Sequence, residues 1–576
     1  MSKKKAVQDS GKKIPKSISL NEPWYSRNAI PLLIVLVLLV YVRSIALGFT
    51  YLDDTIFILE KGGDNEKLSN IFKVFNEGCF MPKDIYYRPL FRVTFIIERQ
   101  ILYLFPINDF GNYSIQLAHI TNMILHAVSV CLLFHLLRKF SFSRENSFLW
   151  SAVFAVHPVL TMAVAWIPGR NDLMLAIFLF AYFIHFLSYI ETRKTKNLIW
   201  MLVFLLLGFF TKETSVFIPL VSGIYLLIFQ SREILKPKYL ILYAAFVFET
   251  ALWYLMRKRV YDPSSEQSIH DTISTITERV PGLIQYIGKI FFPFNLTVYP
   301  TIADTTFRFG IIAIAVALVF IFLNKERQPK NILFGAAWFI LFILPFFFVP
   351  KKINDALYEH RLYIPFLGGI FIFREALPSI TKILKGNWKI AYGAVLLIFS
   401  GMTFFYMNSF SDEITFYKKA VTDSPSSGYA TNMLGIRLQN AGKDEEALPY
   451  FQKAFSIDTN LRYTRYFLAT LDYMKRDSFE HAKKLLIAET LHTPGYAPSY
   501  FELAHIAFLE NNKPGIIFYL KKCCELAPLD DVMNKNLLRA YIQQGDKINA
   551  LNQIAVMQKN GIEPGQDLIN SVNALH

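Results

Sequence analysis

The sequence predicts an all-α protein, a polytopic membrane helix bundle of about eleven spans followed by an α-solenoid of helical repeats. Three observations predict it. The 576 residues are 53% hydrophobic and 16% aromatic, with mean hydropathy +0.31, too apolar for a soluble enzyme of this length. A succession of apolar runs approaches the roughly 20 residues that a bilayer core demands. From Gly428 onward the apolar pattern changes to a repeat of 34 or 35 residues.

Residues 1–28 read as a basic cytoplasmic N-terminus with Lys3, Lys4, Lys5, Lys12, Lys13 and Lys16. The run from Ile30 to Leu47 is too long for a removed signal peptide and lacks a small-residue cleavage site, so it reads as a retained anchor. Spans are expected near 29–48, 115–137, 148–165, 172–190, 197–211, 214–230, 239–256, 309–323, 331–349, 361–377 and 389–407. Their orientation follows from where Lys and Arg gather. Besides the N-terminal lysines, these are Arg138-Lys139 with Arg144, Arg193-Lys194 with Lys196, Arg232 with Lys236 and Lys238, Lys325 with Arg327 and Lys330, and Lys382 with Lys385 and Lys389. Eleven spans put all of these groups in the cytoplasm at once. The membrane domain is then 29–408, its first outer loop 49–114, and the tail lies outside the cytoplasm. The stretch from Arg279 to Pro300 is apolar enough to cross, but a crossing would misplace the basic loop 324–330. With Pro281, Pro293 and Pro300 it reads as a helix at the outer surface or dipping into the protein.

The net charge of +15 is no nucleic-acid footprint, because it sits in the N-terminus and in short loops between apolar runs. Cys79, Cys131, Cys523 and Cys524 have neither metal-ligand nor disulfide-framework spacing and read as small buried side chains. In the tail, Leu434-Gly435, Ala447, Phe451 and Ala454 fit a tetratricopeptide repeat, and the packing position recurs at Ala482, Ile516 and Ala550. Pro494 and Pro528 fall a repeat apart. Four repeats over 428–564 are expected, with 409–427 as the junction to the last span and 565–576 as a C-terminal tail.

Polar residues from distant parts of the chain fall at the outer ends of the expected spans. They are Asp53-Asp54, Arg88, His119, His157, Arg170, Asp172, Lys212-Glu213, Tyr299 and His360-Arg361. Polar groups gathered at one membrane face imply a site there, although any one of them could snorkel or cap a helix. Asp53-Asp54 could cap the helix that begins at Thr55. Arg361 could pair with Glu359, and Lys212-Glu213 could be a buried ion pair that fixes the bundle. His119, Asn122 and His126 lie on one helix face, where a polar stripe usually joins helices. These histidines lack zinc-ligand spacing.

Several stretches, in order, carry a family resemblance. They are Asp53-Asp54, Tyr87-Arg88-Pro89-Leu90, His119-Ile120-Thr121-Asn122 with His126, His157-Pro158-Val159, and Ala163 to Asp172 with Trp166, Pro168-Gly169-Arg170 and Asn171. Lys212-Glu213, Phe292-Pro293-Phe294-Asn295-Leu296, His360-Arg361-Leu362-Tyr363-Ile364-Pro365 and Leu367-Gly368 follow. Together they resemble the transmembrane-and-tetratricopeptide-repeat protein O-mannosyltransferases, within the GT-C fold of polyprenyl-phosphate-sugar-dependent glycosyltransferases. The chain departs from many relatives at Leu160 and Met162, where they carry a second histidine and a glutamate. It also has fewer repeats than the animal members. The short form points to a bacterial relative, in an inner membrane rather than the endoplasmic reticulum.

The resemblance implies transfer of a sugar, mannose or another hexose, from a polyprenyl phosphate to a hydroxyl with inversion, on the non-cytoplasmic face. A carboxylate must take the acceptor proton, and cations must meet the charge that develops on the departing phosphate. Asp53 or Asp54 is the candidate base, with Asp53 favoured by the resemblance. Two adjacent carboxylates repel, which can raise one pKa. Arg361, Arg88, Arg170 and His360 are the candidate phosphate-binding residues, a guanidinium being able to donate two parallel hydrogen bonds to phosphate. His119, Asn122, His157, Asp172, Lys212, Glu213 and Tyr363 are expected to support the site. The motif requires no metal, although one of the acids could hold a divalent ion. The expected partners are the polyprenyl-phosphate-linked sugar, membrane lipid, and a protein or peptide acceptor held in the repeat groove, with no nucleic acid. The alternative is a non-catalytic membrane-anchored repeat scaffold, which leaves the acidic pair and Arg361 without reason to share a compartment. A transporter would show mid-membrane charges and paired broken helices in matching halves, and the sequence shows neither.

Overall fold

The computed structural model describes residues 23–575, apart from 107–108, 232–235, 237–238, 264–267, 352–355 and 475–477. The N-terminal lysines, Arg232 and Lys238 therefore lie outside the described residues. Secondary structure among the described residues is helical, with no strand. The chain divides into two units, 1–296 with 307–411, and 297–306 with 412–576.

In the first unit α1 runs Ala29–Tyr41 and tightens into a 3-10 turn, Val42–Ala46. A long loop leads to α2, Pro89–Leu102, which starts at a proline whose missing N–H costs nothing in a first turn. Asp109 caps α3, Phe110–Lys139, by accepting from Asn112 N. Ser143 caps α4, Arg144–Val156, in the same way. α4 stops at His157 because Pro158 disfavours helical geometry in the residue before it. The chain then bends by 54° into Pro158–Ala165. α5 is Arg170–Thr192, α6 Thr195–Phe209, α7 Phe217–Phe229 and α8 Leu240–Val260. α9, Ile269–Arg279, and α10, Gly282–Phe291, follow. The unit is completed by α11, Arg308–Leu323, α12, Pro329–Phe347, α13, Phe366–Leu384, and α14, Trp388–Tyr406.

Each of the eleven expected span ranges falls on a helix or on the bent pair. Among the described residues six apolar helical stretches are long enough to cross a membrane, or seven with the bent pair. One of the six, Phe366–Phe410, contains both α13 and α14, and three shorter apolar helices accompany them. The expected span at 361–377 starts later, at Phe366, leaving Arg361 in a 3-10 turn, Glu359–Leu362, ahead of the helix. The expected single helix over 279–300 is split at Pro281 into the end of α9 and all of α10, which stops before Pro293. α10 crosses α11 closely, since a Cβ on Gly310 would lie 1.9 Å from the Ile284 carbonyl oxygen.

The second unit begins with α15, Glu413–Asp423, capped by Asp412. α16, Gly428–Asn440, and α17, Asp444–Ile457, form a helical hairpin in which Gly435 leaves room for the Phe451 ring. α18, Thr464–Leu468, continues as a π-helical turn, Ala469–Tyr473, and precedes α19, Phe479–His492. α20, Ala497–Leu509, α21, Lys513–Leu526, α22, Asp531–Gln543, and α23, Lys547–Lys559, repeat the plan, and α24, Gln566–Asn573, ends it. The second helices of successive hairpins start 35, 34 and 34 residues apart. Ala447, Ala482, Ile516 and Ala550 are each the fourth residue of those helices.

Candidate functional site

The loop after α1 turns sharply. Tyr51 takes a left-handed backbone, φ 55°, which costs a non-glycine residue energy and persists only where its surroundings hold it. Asp54 does the holding. Its buried carboxylate accepts from Thr50 N at 2.6 Å, Thr50 Oγ1 at 3.0 Å and Thr55 N at 3.1 Å. Burial raises the Asp54 carboxyl and these hydrogen bonds oppose the rise. Asp53 beside it is half-buried and has no hydrogen bond on its side chain among the described residues. Burial and then the Asp54 charge push its carboxyl up to about 7, against the pull of Arg88. The two adjacent acids thus differ in kind, one spent on the turn and one available.

The cations come from three other segments. Arg88 is the residue before the first turn of α2. It donates from Nε to Glu213 Oε2 at 3.0 Å, with Nη2 2.9 Å from the same oxygen, and lies over the Tyr86 ring. Glu213 also accepts the Tyr87 amide on Oε1 at 2.8 Å. Lys212 donates to Asp172 Oδ1 at 2.6 Å, at the first turn of α5. The ion pair considered between Lys212 and Glu213 is therefore not formed. Lys212 has extended backbone, which sends neighbouring side chains to opposite sides. Arg361 stacks on the Phe346 ring at 3.7 Å and donates from Nη1 to Ala356 O. It pairs with no carboxylate among the described residues, and Glu359 is engaged elsewhere.

Shared fields link these groups. Tyr86 lies in the field of Arg88, Glu213, Arg361 and Asp53. Burial, then Lys212, Arg361 and Arg88, hold the His360 imidazole well below its ordinary value, so it is neutral. Burial lowers Lys212 too, opposed by Asp172. The His360 ring packs on Trp166 and Tyr358. His360 Nδ1, Trp166 Nε1 and Asp172 Oδ2 are buried without a hydrogen-bond partner. Asp53, three cations, two of which are paired with Glu213 and Asp172, and a neutral imidazole thus share one neighbourhood, which can take a proton and meet an anion.

Other expected site residues serve the frame. Arg170 is fully buried and bonds Asn122 Oδ1, Thr94 Oγ1 and the Ala118 carbonyl, with Glu98 2.8 Å away. Each of its guanidinium nitrogens is engaged within the protein. Asn122 Nδ2 donates toward the carbonyls of Val164, Trp166 and Ile167, fixing the break before α5. His157 accepts Val159 N on Nδ1, so Nε2 carries the proton and donates to Ile290 O at 2.8 Å. Tyr363 is buried and bonds His126 and Ser129 of α3. His119 is buried beside the Leu47-Gly48 backbone, with neither ring nitrogen in hydrogen-bond geometry. Tyr299 belongs to the second unit.

Sequence reasoning missed Lys289. It donates to Glu359 Oε1 at 2.6 Å, with both side chains at most 1% exposed, and Tyr406 OH bonds the other oxygen. The turn that carries His360 and Arg361 is thereby tied to α10. The available signal was a single lysine on the otherwise apolar second half of α10.

A family profile described as dolichyl-phosphate-mannose-protein mannosyltransferase matches residues 102–254. The chain is 23% identical over 571 residues to the protein O-mannosyl-transferase Tmtc3 of Drosophila melanogaster, covering 81% of this chain and 60% of the fly protein. It is 24% identical over 417 residues to human TMTC3, covering 64% of this chain and 44% of that one. A shorter stretch of 109 residues is 34% identical to Drosophila Tmtc1, covering 18% of this chain and 12% of that protein. The chain spans 60% or less of the length of these curated relatives. Asp53, Arg88 and Arg361 lie outside the profile's range, whereas Arg170, Asp172, Lys212 and Glu213 lie inside it. The chain is thus similar, over its membrane half and beyond, to protein O-mannosyl-transferases of the Tmtc group, and over residues 102–254 to the mannosyltransferase profile.

Proposed function

We propose that this chain is an inverting membrane glycosyltransferase that moves mannose or another hexose from a polyprenyl phosphate to a protein Ser/Thr hydroxyl on the non-cytoplasmic face. The observation that carries the reading is the Asp53 carboxylate, half-buried, without a hydrogen bond among the described residues, and within the field of Arg88. In the reaction the acceptor oxygen attacks the anomeric carbon while Asp53 takes its proton. The bond between that carbon and the phosphate oxygen breaks, and its electron pair leaves with the polyprenyl phosphate. Arg361 meets the charge that develops there, since no acid neutralises it among the described residues. Arg88, paired with Glu213, lies in the same neighbourhood. The helical hairpins of the second unit present the acceptor polypeptide, as helical-repeat arrays commonly do.

The test is transfer from polyprenyl-phosphate mannose to peptide in proteoliposomes, read by mass spectrometry of the peptide. Wild-type protein should add one hexose, and Asp53→Asn should add none while remaining folded. An intact chain that modifies no hydroxyl, or an Asp53→Asn variant of full activity, overturns the reading. Removing 428–576 should change which peptides are modified more than it changes donor hydrolysis.

A further inference from the structure

α9 presents three distinct faces. Thr275 and Arg279 are buried on one, and His270, Ser274 and Glu278 are exposed on another. On the third, Ile269 and Ile273 are 81% and 59% exposed, Ile276 is half-buried, and Val280, just past the helix, is 45% exposed. Their spacing of i, i+4, i+7 and i+11 makes one continuous apolar stripe, largely exposed among the described residues. Water does not favour such a stripe on so short a helix.

The rest of the helix fixes its height. Ser268 caps the start by accepting from Asp271 N. Arg279, fully buried, donates from Nη1 to the carbonyls of Phe346 at 2.9 Å and Val349 at 2.6 Å. Those carbonyls belong to the last turn of α12, long and apolar enough to cross a membrane, and to the residues just after it. α9 is therefore moored where a spanning helix leaves the hydrocarbon. The polar flank is held as well, by an ion pair from Lys351 to Glu278 and a hydrogen bond from Ser274 Oγ to Glu278.

We propose that α9 is an interfacial helix that lies in the membrane surface on the side of the site, with Ile269, Ile273, Ile276 and Val280 in lipid. An amphipathic helix of this kind buries its apolar face at the boundary between headgroups and acyl chains. Its mooring also touches the site, because the Phe346 ring carries both the Arg279 guanidinium at 4.4 Å and that of Arg361 at 3.7 Å. Lipid would then bear on the helix next to the arginine that meets the donor phosphate in the proposed reaction. The contact with lipid itself stands independently of that reaction.

The test places a single environment-sensitive fluorophore on Ile269→Cys, Ile273→Cys or Ser274→Cys. The full chain is used with the partly exposed Cys131 and Cys524 replaced by alanine, and reconstituted in phosphatidylcholine vesicles. Labels at 269 and 273 should shift to the blue and be quenched by lipids carrying a nitroxide near the headgroup. The label at 274 should instead be quenched by a water-soluble quencher. Equal access of all three to the water-soluble quencher overturns the proposal. So does protection of 269 and 273 without quenching by lipid, which would mean that protein covers the stripe.

Discussion

Lys289 and Glu359 form an ion pair at 2.6 Å with neither side chain more than 1% exposed. Seventy residues apart in sequence, they join α10 to the short turn that carries His360 and Arg361. Taking two charges out of water is expensive, and breaking one half of such a pair leaves the other buried alone. Lys289→Met should therefore destabilise the protein by about 3–5 kcal/mol, whereas Lys289→Met with Glu359→Leu should restore most of that loss. Thermal unfolding of the detergent-solubilised chain checks both.

Asp53 and Asp54 should separate on substitution. Asp53→Asn should lower transfer by about 10²–10⁴-fold, with little change in thermal stability, because its side chain makes no hydrogen bond among the described residues. Asp54→Asn should act on the fold, since an amide cannot accept from Thr50 N, Thr50 Oγ1 and Thr55 N as a carboxylate does. The loss should be about 1–3 kcal/mol, read by thermal unfolding alongside activity.

The same carboxyl sets a pH dependence. With its pKa raised to about 7, Asp53 is protonated below that value and cannot accept a proton. Transfer should rise as pH increases through about 7, falling roughly tenfold per unit on the acid side and levelling off on the basic side. A pH–rate profile from pH 5 to 9, with binding of polyprenyl phosphate measured across the same range, distinguishes this from a change in donor affinity.

Two arginines should behave oppositely. Arg170→Ala removes a buried guanidinium bonded to α2 and α3, and should cost about 3–5 kcal/mol and lower the folded yield. Arg361→Ala, half-buried and without an acid partner among the described residues, should leave stability within about 1 kcal/mol. It should raise KM for the lipid donor roughly tenfold or more. Size-exclusion profiles and donor titrations of the two variants read the contrast.

Glu213 holds Arg88 and the Tyr87 amide together, so Glu213→Gln should weaken donor use without unfolding the bundle. In a double-mutant cycle with Arg88→Ala the two losses should overlap, with a coupling of about 1–3 kcal/mol. Additive losses would count against Glu213 acting through Arg88.

Much of this was legible in the sequence because long apolar runs and a period of 34 or 35 residues depend on local composition. The eleven expected ranges land on helices for that reason, and the acidic pair stood out as charge directly after a span. Pairing was less legible. Lys212 and Glu213 are adjacent, yet they face Asp172 and Arg88 because the backbone between them is extended. Arg170 sits in the motif beside Asp172 but turns inward to Asn122, which only the packing of α2, α3 and α5 decides. Lys289 carried the weakest signal, since a lone lysine in an apolar stretch says nothing of the acid it will find. The split at Pro281 was visible as a proline, but which helix each half joins depends on close approaches such as Gly310 against Ile284.

The recurrence of Ala447, Ala482, Ile516 and Ala550 at one place in their helices has a consequence for how such a tail changes length. Cutting out a segment between any two of them rejoins like to like, so each remaining helix still offers its small or slim face to the next. Lengthening or shortening by whole hairpins leaves the interior chemistry intact, and reach becomes a quantity adjustable in steps. A tail assembled on that rule can differ widely in extent between kin while the membrane half stays as it is.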